Sequence, residues 1–267
     1  MTARLAVALV VIGLSVMAFA AARAETPTPP SVVELFTSQS CYSCPPAEAY
    51  LGRLAGRPDI IALEFHVDYW NDLVYGTAGR WTDVHSDPAY TARQRGYAAR
   101  QINPLAGGVY TPQMVIDGQA QAVGSRERDV EAAIASARKS PRLDVSLVSL
   151  NTGKTELRVS GAERLADRHA DRAGDIWLVR FKPREETKVR AGENRGKVLI
   201  NHHMVTGMTR LGAWGFDTSS AILDTSSRIF DPVAPGLDEG CAVLIQARGQ
   251  GPILGAAMCP PTPRKAP

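Results

Sequence analysis

The sequence predicts an α/β domain over residues 31–140, followed by a β-rich, antiparallel sandwich-like domain over 141–260. Three observations carry this. An apolar β-branched run, Val32 to Thr37, passes through a small polar turn into an Ala-, Glu- and Leu-rich segment, and a second apolar run follows at Ile60 to Val67. Strand, helix, strand in that order gives a right-handed unit with parallel strands. Beyond Ser140-Pro141 the pattern changes to short alternating runs separated by Gly, Pro and Asn turns, the pattern of antiparallel sheets.

The chain has 267 residues, enough for one large domain or two smaller ones, and 45% of them are hydrophobic. Thirty basic residues stand against 27 acidic ones, for a net charge of +3, and the two signs are interspersed. No nucleic-acid footprint is present. The first 24 residues read as a signal peptide: Arg4, an apolar run from Leu5 to Ala22, and the small-x-small site Ala22-Arg23-Ala24. A retained anchor is the rival reading of that run. Either way the remainder is exported, periplasmic or secreted, and its four cysteines lie where disulfides persist. Once the leader is cleaved, no membrane contact is expected.

Residues 25–30 form a Pro-rich spacer. Strand 32–37 then leads to Cys41-Tyr42-Ser43-Cys44. Pro45 and Pro46 are tolerated only in a helix's first turn, so the helix 45–56 begins near Tyr42 to Cys44, with the cysteines on that turn. Unpaired N–H groups and the positive dipole end favour a thiolate there and lower its pKa. After strand 60–67, Asp87 is the expected N-cap of a helix from Pro88 to Gln101. Gly107 to Gln119 reads as a loop, a strand and an Asp117-Gly118 hairpin turn, and 120–124 pairs back. Ser125 to Arg128 resembles a capping box before helix 129–139. Beyond 140, runs at 143–147 and 157–159 flank the turn Asn151-Thr152-Gly153, and further strands are expected at 176–182, 197–206 and 241–247. Residues 161–174, 184–195 and 224–239 read as loops, and 261–267 as a tail.

Parallel strands place their C-terminal ends at one sheet edge, where catalytic groups collect. That edge receives Cys41 from the first strand. It also receives His66, Asp68 and Trp70, which share one face if the second strand continues that far. An imidazole or carboxylate there would take the proton that Cys44 must lose; the ordinary alternative is a strand cap and a packing residue. Thr111-Pro112 opens a later strand.

Together these residues resemble the thioredoxin superfamily over about 31–139. The resemblance implies Cys41 as the exposed attacking thiolate and Cys44 as the resolving thiol, with Pro112 as the cis-proline beside them. It also implies Thr111 as a backbone contact for substrate; Tyr110, Tyr42 and Trp70 are the other candidate substrate-binding residues, and with Tyr69 they would line a groove for a ligand or peptide if the protein is a binding module. Ser40 stands where the superfamily has an aromatic residue, and Glu34 lies one place off its buried acid. A narrower resemblance rests on Glu34 to Cys41, Ser43-Cys44-Pro45-Pro46, His66-Val67-Asp68-Tyr69-Trp70, Arg93-Gln94 with Tyr97, Tyr110 to Gln113, and Gly251 to Ala256. These motifs are similar to a secreted family catalogued as domain of unknown function 1223. Trp70-Asn71-Asp72 differs from that family's acid directly after the tryptophan.

Cys241 and Cys259 lie equally far from Gln250, so they face each other across a hairpin, within reach of a structural disulfide. The alternative is that one of them acts as a shuttle for the first pair. Neither a second C-x-x-C nor a usable His pair offers zinc its four ligands. A cuprous ion on Cys41 and Cys44 is a minor reading. The expected function is thiol–disulfide exchange with protein thiols or disulfides, or with an exported redox partner, without cofactor or metal. The rival is a binding module whose Cys41–Cys44 bridge is structural.

Overall fold

A computed structural model of the chain describes residues 29–100, 102, 108–150, 155–165, 173–215, 220–223 and 239–260. The leader, most of the Pro-rich spacer, the Asn151-Thr152-Gly153 turn, most of the 224–239 loop and the tail lie outside these residues.

The first half follows its local signals. β1 (Ser31–Thr37) and β2 (Ile60–His66) are parallel and buried throughout, joined by α1 (Pro45–Ala55). α2 (Pro88–Ala99) starts at Asp87, whose Oδ1 accepts from the Ala89 amide at 2.7 Å. β3 (Gln113–Ile116) runs antiparallel to β1 and pairs with β4 (Ala120–Val123). Their turn places Asp117 and Gly118 at φ 49° and 62°, the left-handed pair that an Asp-Gly hairpin uses. α3 (Glu127–Ala137) begins at Arg126 with no side-chain cap, so Ser125 does not close the expected capping box.

The second half holds β5 (Asp144–Ser149), β6 (Thr155–Ser160), β7 (Ala173–Lys188), β8 (Val198–Gly215), β9 (Ser220–Leu223), β10 (Gly240–Ala247) and β11 (Ile253–Met258). Ser140-Pro141 is not a sheet boundary. The strands form one sheet of order β11-β10-β7-β8-β2-β1-β3-β4, with β5-β6-β9 as a separate three-stranded sheet. The joint is narrow: β8 meets β2 in parallel at Met204 and Glu64. Polar bonds strengthen it, because Glu64 accepts from Asn201 Nδ2 at 2.6 Å and from the His202 amide at 2.9 Å.

β7 and β8 are longer than the sequence predicted, so residues 184–188 belong to a strand and not a loop. Pro183 interrupts the apolar pattern, yet β10 pairs with β7 only as far as Phe181. Pro183 therefore sits where β7 has a partner on one side only, a position that tolerates proline.

Side-chain alternation sorts the core into three parts. Val32, Phe36, Phe65 and Phe181 pack on the face that carries Tyr90 and Tyr97 of α2. Val33, Leu35 and Ala62 face α1 and α3. Val243, Ile245 and Leu178 pack under the small sheet through Leu143, Leu157 and Val159, which gives that end its sandwich-like layering.

The Cys241 and Cys259 sulfurs are bonded, with Cα atoms 5.2 Å apart, and the Cys259 amide donates to the Cys241 carbonyl at 2.8 Å. The bridge closes a loop of sequence separation 18. Replacing both cysteines by serine is expected to destabilise by about 3 kcal/mol on the chain-entropy account. Denaturant unfolding under oxidising conditions measures this, and the loss should disappear when wild type and variant are compared in reductant.

Candidate functional site

β1 ends at Thr37, and the chain turns through Ser38–Ser40 into the cysteines. The Cys41 amide donates to Ser38 O at 3.0 Å and the Cys44 amide to Cys41 O at 3.2 Å. The Cys41 and Cys44 sulfurs are bonded, with Cα atoms 5.4 Å apart. Cys44 is the N-cap of α1, and Pro45 and Pro46 open the helix. Cys41 therefore lies before the helix and not on its first turn. A thiolate at Cys44 would face the free N–H groups and the positive dipole end of α1.

Both cysteines are completely buried, while Tyr42 between them is 66% exposed. This corrects the expectation of an exposed Cys41. The backbone of this loop is held by a segment far along the chain, the turn between β7 and β8. Asn194 Nδ2 donates to the carbonyls of Gln39 and Cys41, each at 2.9 Å, and Glu193 accepts from the Tyr42 amide at 2.9 Å. Ser43 Oγ lies 3.5 Å from Cys41 Sγ.

Beneath the cysteines, the α1 face of β1 and β2 carries a chain of buried titratable groups. Thr37 donates to Glu48 at 2.7 Å, and Glu48 lies one helical turn after Cys44 on the buried side of α1. Burial, and then the neighbouring Glu64 carboxylate, push the Glu48 pKa up to about 8. His66 sits between two acids: its Nδ1 is 2.7 Å from Asp83 Oδ2, and its Nε2 is 3.3 Å from Glu64 Oε1. Burial alone would lower the His66 pKa. The Asp83 carboxylate, with Glu64, outweighs it and holds the imidazole well above its usual value. Burial pulls Asp83 the opposite way, but charged His66 keeps its carboxyl below the usual range. Asp83 also accepts from the Gln39 amide at 2.8 Å, so this network braces the cysteine turn.

Two expected supporting acids lie elsewhere. β2 ends at His66, so Asp68 and Trp70 do not share its face. Asp68 instead pairs with Thr91 of α2, whose Oγ1 donates to its Oδ1 and accepts from its amide. Glu34 faces α2, opposite α1, where Arg93 Nε donates to it at 2.6 Å and Tyr97 donates through its hydroxyl. The acid nearest Cys44 in the helix is Glu48, which sequence reasoning missed. Its spacing of four residues from Cys44 was the available signal. Asn194 lay in a segment read as a charged loop.

Thr111–Pro112 is cis, and Pro112 is buried at the start of β3. β3 pairs Gln113 with Phe36, which places Thr111 and Pro112 level with the end of β1. Tyr110 is half-buried with its hydroxyl bonded to Gln121. Thr111 Oγ1, Trp70 Nε1 and Gln94 Oε1 are buried around the Tyr69 hydroxyl as its polar neighbours.

Among the described residues, no group of three or more His, Cys, Asp or Glu side chains is placed to hold a metal ion. No helix there is long and apolar enough to cross a membrane. A cavity of about 840 Å³ lies between α2 and the β7–β8–β10 face, lined in part by Tyr90, Trp177 and Met208, and touches neither cysteine of the pair.

The chain is similar in structure to protein AGR_C_4864 from Agrobacterium tumefaciens, with a TM-score of 0.68 and 26% identity over 87% of this chain and 95% of the other. A weaker likeness, with a TM-score of 0.49 and 11% identity over 86% and 74% of the two chains, is to HBP35 of Porphyromonas gingivalis. No curated protein matches. The profile of the family described as "Protein of unknown function (DUF1223)" matches residues 32–246, and the chain belongs to that family.

Proposed function

We propose that the chain is an exported thioredoxin-like protein that exchanges thiols and disulfides through Cys41 and Cys44. The observation that carries this is the Cys41–Cys44 disulfide at the N-terminus of α1, level with cis-Pro112 where β1 and β2 end. In the oxidising direction for the pair, the Cys41 thiolate attacks a partner disulfide and forms a mixed disulfide, and the first partner thiolate leaves. Cys44 gives its proton to the departing partner thiolate. The Cys44 thiolate then attacks Cys41 Sγ and the second partner thiolate leaves. The partner gains two electrons and the pair loses two.

Cys44→Ser is expected to accumulate a mixed disulfide on Cys41 when incubated with periplasmic extract, separable on non-reducing gels and absent in Cys41→Ser. A redox titration of the wild type should place the pair among exchange proteins, about −120 to −270 mV. The burial of Cys41 favours a second reading, a binding module with a structural bridge. A pair that resists reduction far below that range, with nothing captured, would establish the second reading and exclude the first.

A further inference from the structure

We propose that the β7–β8 turn, residues 189–197, is part of the redox site: it covers the Cys41 sulfur, and Asn194 is the positioning residue that holds the cover closed. This rests on the exchange reading and specifies how that same site is regulated.

The cover is built from both sides. Asn194 is fully buried, and its amide is oriented. The nitrogen donates to Gln39 O and Cys41 O, while its oxygen accepts from Lys197 Nζ at 2.8 Å. The same ammonium stands 4.2 Å from the centre of the Tyr42 ring. Glu193 takes the Tyr42 amide. Behind the tip, the Gly192 amide donates to Ala78 O at 3.0 Å and Arg195 Nη1 to Thr77 O at 3.4 Å. Gly192 has φ +75°, and a Cβ there would stand 3.1 Å from Trp81 Cβ, so the approach needs glycine. The turn is thus fastened to the cysteine loop in front and to the loop after β2 behind.

The consequence is kinetic. To reduce the pair, an external thiolate must reach Cys41 Sγ in line with the S–S bond. Its bond to Cys41 forms as the S–S bond breaks, and the electron pair leaves on Cys44. With Cys41 at zero exposure, that approach requires the turn to lift and both Asn194 donations to break. Opening therefore precedes exchange, and a small thiol reacts only with the open fraction.

The test is the rate at which dithiothreitol reduces the oxidised full-length chain, with the equilibrium constant measured separately. Asn194→Ala is expected to accelerate reduction tenfold or more while the equilibrium constant moves by less than tenfold, under 30 mV for this two-electron couple. Glu193→Gln, which weakens a single bond, should accelerate it about two- to threefold. A folded Asn194→Ala whose rate stays within twofold of wild type overturns the proposal. So does an acceleration matched by an equal change in equilibrium constant, because the disulfide itself would then have been destabilised. If Asn194→Ala does not fold, Lys197→Met, which releases the Asn194 oxygen, takes its place, and absence of acceleration in both Lys197→Met and Glu193→Gln overturns it. Failure of the exchange reading looks different: a structural bridge shifts the end point of this reaction, whereas a closed cover sets its rate.

Discussion

Replacing Arg93 by methionine is expected to destabilise the fold by about 3–5 kcal/mol, the usual penalty for leaving a buried charge without its partner. Glu34 is completely buried and Arg93 nearly so. The guanidinium donates to Glu34, to Gln246 at 3.2 Å and to the Tyr97 hydroxyl at 2.8 Å. It also lies 5.7 Å from the Phe65 ring centre and 5.2 Å from that of Tyr97. Methionine keeps most of the volume and none of the donors. The network spans β1, α2 and β10, so the loss should appear in one cooperative unfolding transition, read as a lower denaturant midpoint with unchanged slope. Adding Glu34→Leu should recover at least half of the loss, because the uncompensated charge is then gone. Recovery of none would mean that the arginine stabilises through packing alone.

Glu48→Gln should stabilise the protein above pH 8 and leave it unchanged near pH 4. The sign follows from the proton count. The folded pKa of about 8 lies above the ordinary 4.5. Below pH 4.5 the carboxyl is protonated in both states and exerts no effect. Between 4.5 and 8 the unfolded chain releases the proton while the folded one retains it, so stability falls as pH rises. Above 8 the whole penalty is present, on the order of 3–5 kcal/mol at about 1.4 kcal/mol per unit. Glutamine keeps an acceptor for Thr37 and removes the charge. His66 weakens the fold in the same direction, since its raised pKa gives stability that is lost as pH climbs through the folded value. The difference between wild type and variant, taken across pH 4 to 9 by chemical denaturation, isolates Glu48. A flat difference would show that Glu48 ionises as freely in the folded protein as in the unfolded chain.

The first half of the fold was legible because each element is announced by neighbours in sequence. Pro45-Pro46 set the start of α1, Asp87 capped α2, and Asp117-Gly118 made its hairpin. Cys241 and Cys259 were paired by counting outward from Gln250, a purely local symmetry. What failed was long-range. Nothing near residue 204 states that β8 will lie beside β2, so the sheet looked finished at residue 140. Glu34 was read from strand phase alone, and its partner Arg93 on α2 decided its role. Asn194 stands between two glycines in a charged stretch, and its importance comes from carbonyls more than 150 positions earlier.

That separation orders events during folding. The cysteine turn, α1 and β2 lie within one contiguous stretch and form early, since local contacts close fastest. The docking of the β7–β8 turn on that stretch joins residues more than 150 positions apart and closes later. Until then Cys41 is open to any oxidant that reaches it, and afterwards Asn194 stands in the way. A chain oxidised before the turn docks closes over its disulfide, and a chain that closes unoxidised has shut its thiols inside.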